Sequence, residues 1–207
     1  MKDYSQNGEG KIIADAVAAI EARKDLWGYQ VPRVAVEFGA GDGFKLSNIR
    51  GLMEDGWIGF QFEKDKSTNQ DVIQSDITAS NINDVLIGTN RLIGVLSIDV
   101  DGNDWWIWKA LDLVHPAIVC IEFNPQLEGH KTIRYDSGHN WDGRTSYCGA
   151  SFLAILKLGA QKGYKAIAKT ACNLIFVRAE LWPDPVPLLK HEPVQIWEES
   201  DKEFEQV

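Results

Sequence analysis

Along this chain, apolar runs end on carboxylates. Glu37 closes VAVE, Glu63 closes WIGFQFE, Asp76 follows DVIQS, Asp99 and Asp101 follow LSI, and Glu122 closes AIVCIE. An ionised carboxylate accepts hydrogen bonds and attracts cations, so several gathered at one place suit hydroxyls, amines or a metal ion. After Glu37, glycines alternate at Gly39, Gly41 and Gly43 around Ala40 and Asp42. A turn without Cβ atoms at the end of a strand lets backbone approach a ligand closely.

The charges beside that turn narrow the ligand. Glu37 and Asp42 would repel a pyrophosphate. Glu63, at the end of the second run, is placed to accept both hydroxyls of a ribose, and Asp76, flanked by Ser75 and Ile77, to accept from an adenine amino group. S-adenosylmethionine carries ribose and adenine with no phosphate, and its sulfonium and ammonium groups suit acidic surroundings. The expected cofactor contacts are therefore Glu37, Gly39, Ala40, Gly41, Gly43, Glu63, Ser75, Asp76, Ile77 and Asp99. Taken singly, each carboxylate reads equally well as a solvated strand end. Their recurrence at successive strand ends, which converge at one edge of a parallel sheet, favours a site.

Asp99 and Asp101 are two residues apart and face one side if their strand persists. Like charges so close call for a cation or a shared proton. A calcium loop starting at Asp99 fails, because Asp104 and Ala110 stand where glycine and glutamate are needed. The cation is then the sulfonium, or a divalent metal clipped by Asp99 and Glu122, of which the metal-free arrangement is favoured. Glu122 and Asn124, again two apart, offer a general base and an orienting amide, so Asp99, Asp101, Glu122 and Asn124 form the expected chemical edge. Glu122 is preferred as base over His139, which lies in the polar loop YDSGHNWDGRTSY, read as a lid over the acceptor. Trp105, Trp106 and Trp108 could stack on an aromatic acceptor, but their spacing favours core packing. Two other uses of these residues stay open: metal-assisted chemistry of another class through Asp99, Asp101 and Glu122, and a cofactor-binding module without chemistry.

The elements that must position these groups alternate. A helix is expected over 11–23, then a strand through VPRVAVEFG, a helix from about Lys45 to Asp55, and strands at WIGFQFE and DVIQSDI. Next come a short helix at NINDVL, a strand at LIGVLSIDVD, a helix at DWWIWKALDL and a strand at AIVCIEFN. Alternation of this kind implies right-handed crossovers and a mainly parallel sheet. The helix SFLAILKLGAQKGY is followed by KAIAKTA and NLIFVRAEL, almost abutting, which requires an antiparallel pair. An α/β, Rossmann-like, mostly parallel seven-stranded sheet ending in an antiparallel hairpin is the class I methyltransferase arrangement. One domain is expected over 1–190. The acidic tail over 191–207 reads as a loose or partner-packed extension.

Composition bounds the partners. Thirty acidic against 21 basic residues leave a net charge of -9, which disfavours nucleic acid and favours a small acceptor. The three cysteines lack paired spacing, so neither disulfides nor zinc are expected. With no signal-like start and no apolar run of about 18 to 20 residues, a soluble cytoplasmic protein that does not engage a membrane is expected.

The segments YSQNGEG, VEFGAGDGFKLSN, SIDVDGNDWWIWKAL, IEFNP, WDGRTSYCGASFLAILKLGAQKGY and NLIFVR resemble FkbM-type S-adenosylmethionine-dependent methyltransferases over Tyr4 to Leu181. The resemblance implies the class I methyltransferase fold, S-adenosylmethionine as donor and O-methylation of a small-molecule or sugar acceptor. It also implies that Ser5 to Glu9 closes over the site from the chain start. Gly10 stands where such sequences often carry an acid, and Gln61 interrupts a strand that is usually apolar, which is expected to loosen the core there.

Overall fold

The structure is a computed structural model that describes residues 2–89, 92–182 and 195–197. Helix α1 (Glu9–Glu21) turns Ile13, Ala16 and Ile20 to one side, all three buried. This is the helical spacing expected of the first segment, begun two residues earlier. A single turn, α2 (Lys24–Trp27), leads to strand β1 (Val34–Phe38), in which every residue is buried. There follow α3 (Arg50–Glu54), β2 (Ile58–Glu63), β3 (Ile73–Gln74) and α4 (Ile82–Thr89). After these come β4 (Val95–Ile98), α5 (Asp104–Ala110), β5 (Ile118–Glu122) and β6 (Lys131–Ile133). The chain continues through α6 (Phe152–Gln161), β7 (Tyr164–Lys169) and β8 (Asn173–Arg178), and β9 (Gln195–Trp197) closes it.

Seven strands form one sheet in the order β3-β2-β1-β4-β5-β8-β7. Neighbours from β3 to β5 pair in parallel, whereas β8 runs antiparallel to both β5 and β7. This is the expected α/β, Rossmann-like class I methyltransferase topology, with the hairpin inserting its second strand next to β5. Helices α1 and α3 cover one face, where Ile13, Ile20 and Leu52 meet Ala35, Val95 and Ile118. Helices α4, α5 and α6 cover the other, where Leu86, Trp108 and Ile155 meet Val36, Leu96 and Val119. Strands buried on both faces explain why they read as unbroken apolar runs.

Three local expectations are corrected. The helix after the glycine turn begins at Arg50, not near Lys45, because residues 44–49 are drawn into irregular backbone by a buried carboxylate described below. The third strand is only two residues long, as it lies at the sheet edge and pairs on one side alone. The fourth strand stops at Ile98, so Asp99 and Asp101 are not held by strand alternation, and Asp101 adopts a left-handed φ of 55°. Within the acidic tail, Gln195–Trp197 pairs in parallel with β6, while the remainder of 191–207 and the boundary at 190 lie outside the described residues.

The tryptophans pack as expected. Trp105 and Trp108 are buried, and half-buried Trp106 donates its indole N–H to the Ile133 carbonyl at 2.8 Å. Among the described residues no helix is long and apolar enough to cross a membrane. Trp108, fully buried, meets the rings of Phe176 and Tyr164 at centroid distances of 4.9 and 5.7 Å, tying α5 to the hairpin. Trp108→Ala is expected to cost about 3 to 5 kcal/mol through the cavity it leaves. Urea unfolding with an unchanged m-value checks this.

Candidate functional site

The site starts from Glu37, which is 3% exposed at the end of β1. Its carboxylate accepts from Ser47 Oγ and the Asn48 N–H at 2.6 Å each and from Gln61 Nε2 at 2.9 Å. Burial pushes its pKa up and these donors hold it down. Gln61 also donates to the Gly43 carbonyl at 3.0 Å. So Gln61 does not loosen the core: it is the amide that ties the glycine turn to the second strand. Glu37 and Gly43 do not line the cavity described next. Expected as cofactor contacts, both act from beneath, because their polar atoms are consumed in holding the turn.

The turn itself lies against the end of β4. A Cβ at Gly39 would sit 1.5 Å from the Asp99 carbonyl oxygen, so only glycine allows this approach. Gly41, at φ 55°, has open space where its Cβ would be and gives its N–H to Glu63 Oε2 at 2.7 Å. Glu63 Oε1 accepts the Lys64 N–H at 2.8 Å. Oε1 also accepts the Asp65 N–H at 3.3 Å, so two backbone donors fix Oε1 and one fixes Oε2, which keeps acceptor capacity.

These residues line a cavity of about 530 Å3. Gly39, Ala40, Gly41 and Glu63 contribute from β1 and β2, and Ser75, Asp76 and Ile77 from the segment after β3. Asp99, Asp101 and Glu122 border it at the ends of β4 and β5. Parallel strands deliver their carboxyl ends to one edge, and the cavity sits outside it. Gln6 lines it too, as expected of the Ser5 to Glu9 segment. That segment is held by buried Glu9, which accepts from Asn7 N at 2.8 Å, Thr170 Oγ1 at 2.6 Å and Asn173 Nδ2 at 3.3 Å. Burial works to raise the Glu9 pKa, but these donors outweigh it and the net shift is downward. Ser5 bridges to Leu46, so the chain start spans from the glycine turn to the hairpin.

The acidic edge is brought together as expected, although not by strand alternation. One carboxylate oxygen from each of Asp99, Asp101 and Glu122 lies within 4.8 Å of the others. Asp99 and Glu122 face each other within that distance. Burial pushes both far above the usual carboxylate range, and the negative charges of Asp101 and Asp104 add to it. Asp101 is raised by burial and by Glu63, against the pull of His139.

Sequence reasoning missed Asp104, whose carboxylate accepts the N–H groups of Val100 and Gly102 at 2.8 and 3.0 Å and so shapes the loop carrying Asp99 and Asp101. Its place in the first turn of a helix was the available signal. It missed Asn103 and Asn173 as well, which line the cavity and are nearly buried. Asn173 stands opposite Glu122 in the β5–β8 register, which nothing local reveals.

A second cavity of about 280 Å3 shares Glu122 and Trp141 with the first. Phe123, Gln126, Arg144 and Thr145 also line it, so the loop expected to act as a lid forms its wall. Asn124 lies here and not in the first cavity. Its amide nitrogen donates to the carbonyls of Ser146 and Cys148 at 2.8 and 3.0 Å, and its oxygen accepts from Gln126 N. The expected orienting amide thus fastens the loop. His139 borders the first cavity beside Gly102, while Glu122 alone of the two candidate bases touches both cavities.

No family model and no curated protein matches the chain. Solved structures do match, among them the CMeT domain of the citrinin polyketide synthase, with TM-score 0.37 and 15% identity over 72% of this chain and 46% of that one. The chain therefore spans less than half the length of that matched structure.

The folded chain releases the Asp104 proton at about 6, whereas the ordinary value is 3.8, chiefly because of burial. Between those values the folded state keeps a proton that the unfolded state has lost, so stability falls as pH rises through the window. Asp104→Asn is expected to gain on the parent as pH increases. Urea titrations of both between about pH 4 and pH 7 check this; a constant difference would contradict the buried, late-titrating carboxylate.

Proposed function

We propose that this chain is an S-adenosylmethionine-dependent methyltransferase of the FkbM type, acting on an oxygen of a small-molecule or sugar acceptor. The observation that carries the reading is Glu63, fixed by the Gly41 N–H at 2.7 Å and presented to the larger cavity. A carboxylate so anchored suits a ribose diol, and Ser75, Asp76 and Ile77 stand further along the same wall, where an adenine would lie. The cavity volume of about 530 Å3 falls within the range of cofactor sites. Asp99 and Asp101 receive the cationic end of the cofactor, and Lys45 and Lys64, which also line the cavity, can meet its carboxylate.

The second cavity, about 280 Å3, is sized for a single ring and opens onto the same carboxylate. There the acceptor would present its hydroxyl to Glu122, which draws on the O–H proton, with Trp141 as a face to pack against. Binding two reactants on either side of one group is what a transfer reaction requires. Chemistry of another class at the acidic residues would not need the ribose-binding carboxylate.

Calorimetric titration with S-adenosylmethionine tests the reading, and a chain that takes no cofactor refutes it. Gly41→Val is expected to abolish binding, since the added side chain projects into the open space at the cavity, and because it also strains the turn at φ 55° a thermal melt must show the variant folded. Glu63→Ala is expected to weaken binding by about 1.5 to 3 kcal/mol, the loss of hydrogen bonds to a charged group. Equal affinity in both variants would place the cofactor elsewhere.

A further inference from the structure

The acidic edge sets the carboxylates of Asp99 and Glu122 against each other. Asp101 remains beside them, and among the described residues no lysine or arginine forms an ion pair with any of the three. Two amide oxygens add to the imbalance. Asn173 is 2% exposed, and its nitrogen donates to Glu9, an ionised acceptor, which leaves Oδ1 as the atom without a partner. Asn103 is 8% exposed, and its nitrogen donates to the Asp136 carbonyl at 2.8 Å, again leaving Oδ1 without one. Both residues line the cavity that Asp99, Asp101 and Glu122 border, and Asn173 is the direct cross-strand neighbour of Glu122. Buried polar oxygens are paired in folded proteins, and buried charges are paired or bind metals.

We infer that Asp99, Asp101 and Glu122, with the amide oxygen of Asn173, form a site for a divalent cation of the magnesium, manganese or calcium kind. The donors are all oxygens, the preference of such hard ions, and no thiolate or imidazole belongs to the set. The three carboxylate oxygens lie within 4.8 Å of one another, close enough for one ion to reach all of them at the metal–oxygen distances such ions adopt. A single cation there answers all three carboxylates together.

The inference rests on the methyltransferase reading only for what the ion does. Glu122 borders both cavities, so an ion held there faces the acceptor oxygen. A hydroxyl facing the ion would lose its proton more readily, and the Glu122 oxygen left free of the ion would accept that proton.

The test needs no acceptor and no cofactor. Manganese(II) is titrated into the full chain, and the free ion is read by electron paramagnetic resonance. One ion per chain is expected. Asp101→Asn and Glu122→Gln should each weaken it by about tenfold or more. Thermal melts check that both variants keep the fold. No saturable binding at millimolar manganese, or a variant that binds as tightly as the parent, overturns the site. A parallel titration with S-adenosylmethionine separates the failures: a chain that takes cofactor but no ion loses this inference alone, and one that takes ion but no cofactor loses the functional reading.

Discussion

The burial of one carboxylate at the end of the first strand organises the candidate cofactor site. Removing Glu37 from water costs several kcal/mol unless donors replace the water, and here a hydroxyl, a backbone N–H and an amide do so. Each donor has a consequence. Asn48 N–H binds the segment 44–49 out of helical geometry, with Leu46 at φ 65° and bridged to Ser5. Ser47 Oγ, held by Glu37, accepts from Arg50 N at 3.0 Å and so starts α3 where it starts. Gln61 carries the restraint into β2 and onto the Gly43 carbonyl. The turn of Gly39 to Gly41 is thereby fixed with the N–H groups of Gly39 and Ala40 on the Phe62 carbonyl, that of Gly41 on Glu63, and its back against Asp99.

Sheet topology then decides what shares the edge with that turn. Parallel strands bring their carboxyl ends, and here those ends are acidic. Strand β8 runs the other way and brings its first residue, Asn173, to the same edge. The amide joins the acidic group because of strand direction, and it links Glu122 to Glu9 at the chain start. The antiparallel hairpin therefore serves the site as well as the sheet: it anchors the segment containing Gln6 over the cavity.

Charge is concentrated at this edge beyond what the net value of -9 implies. Asp99, Asp101, Asp104 and Glu122 act on one another, and burial compounds the repulsion. Such an arrangement lowers stability in the free chain, since neutral or apolar groups of similar size would avoid the cost. Strain of this kind is expected where a ligand supplies the missing charge. The sulfonium, the ammonium and a divalent ion are all partners of the required sign.

Much of this was legible in the sequence. Continuous apolar runs alternating with helical spacing specify a parallel sheet covered on both faces, and two abutting strands can only be antiparallel, so the fold follows from local pattern. Strand ends carry the ligand groups in such a sheet, which is why Glu63, Asp76, Asp99 and Glu122 were identifiable as cavity residues from their positions alone. What escaped was decided by contacts between residues far apart in the chain. Glu37 and Asn124 have the right residue types for direct ligand contact, yet one is spent on the glycine turn and the other on the 146–148 loop. Gln61 looked like a flaw in a strand, because its partners Glu37 and Gly43 lie 24 and 18 positions away. The place of Asn173 beside Glu122 depends on register across a 51-residue separation. Hydrophobic periodicity records which face is buried, but a polar group's partner is set by where the folded backbone brings a donor or acceptor, and only the tertiary structure contains that.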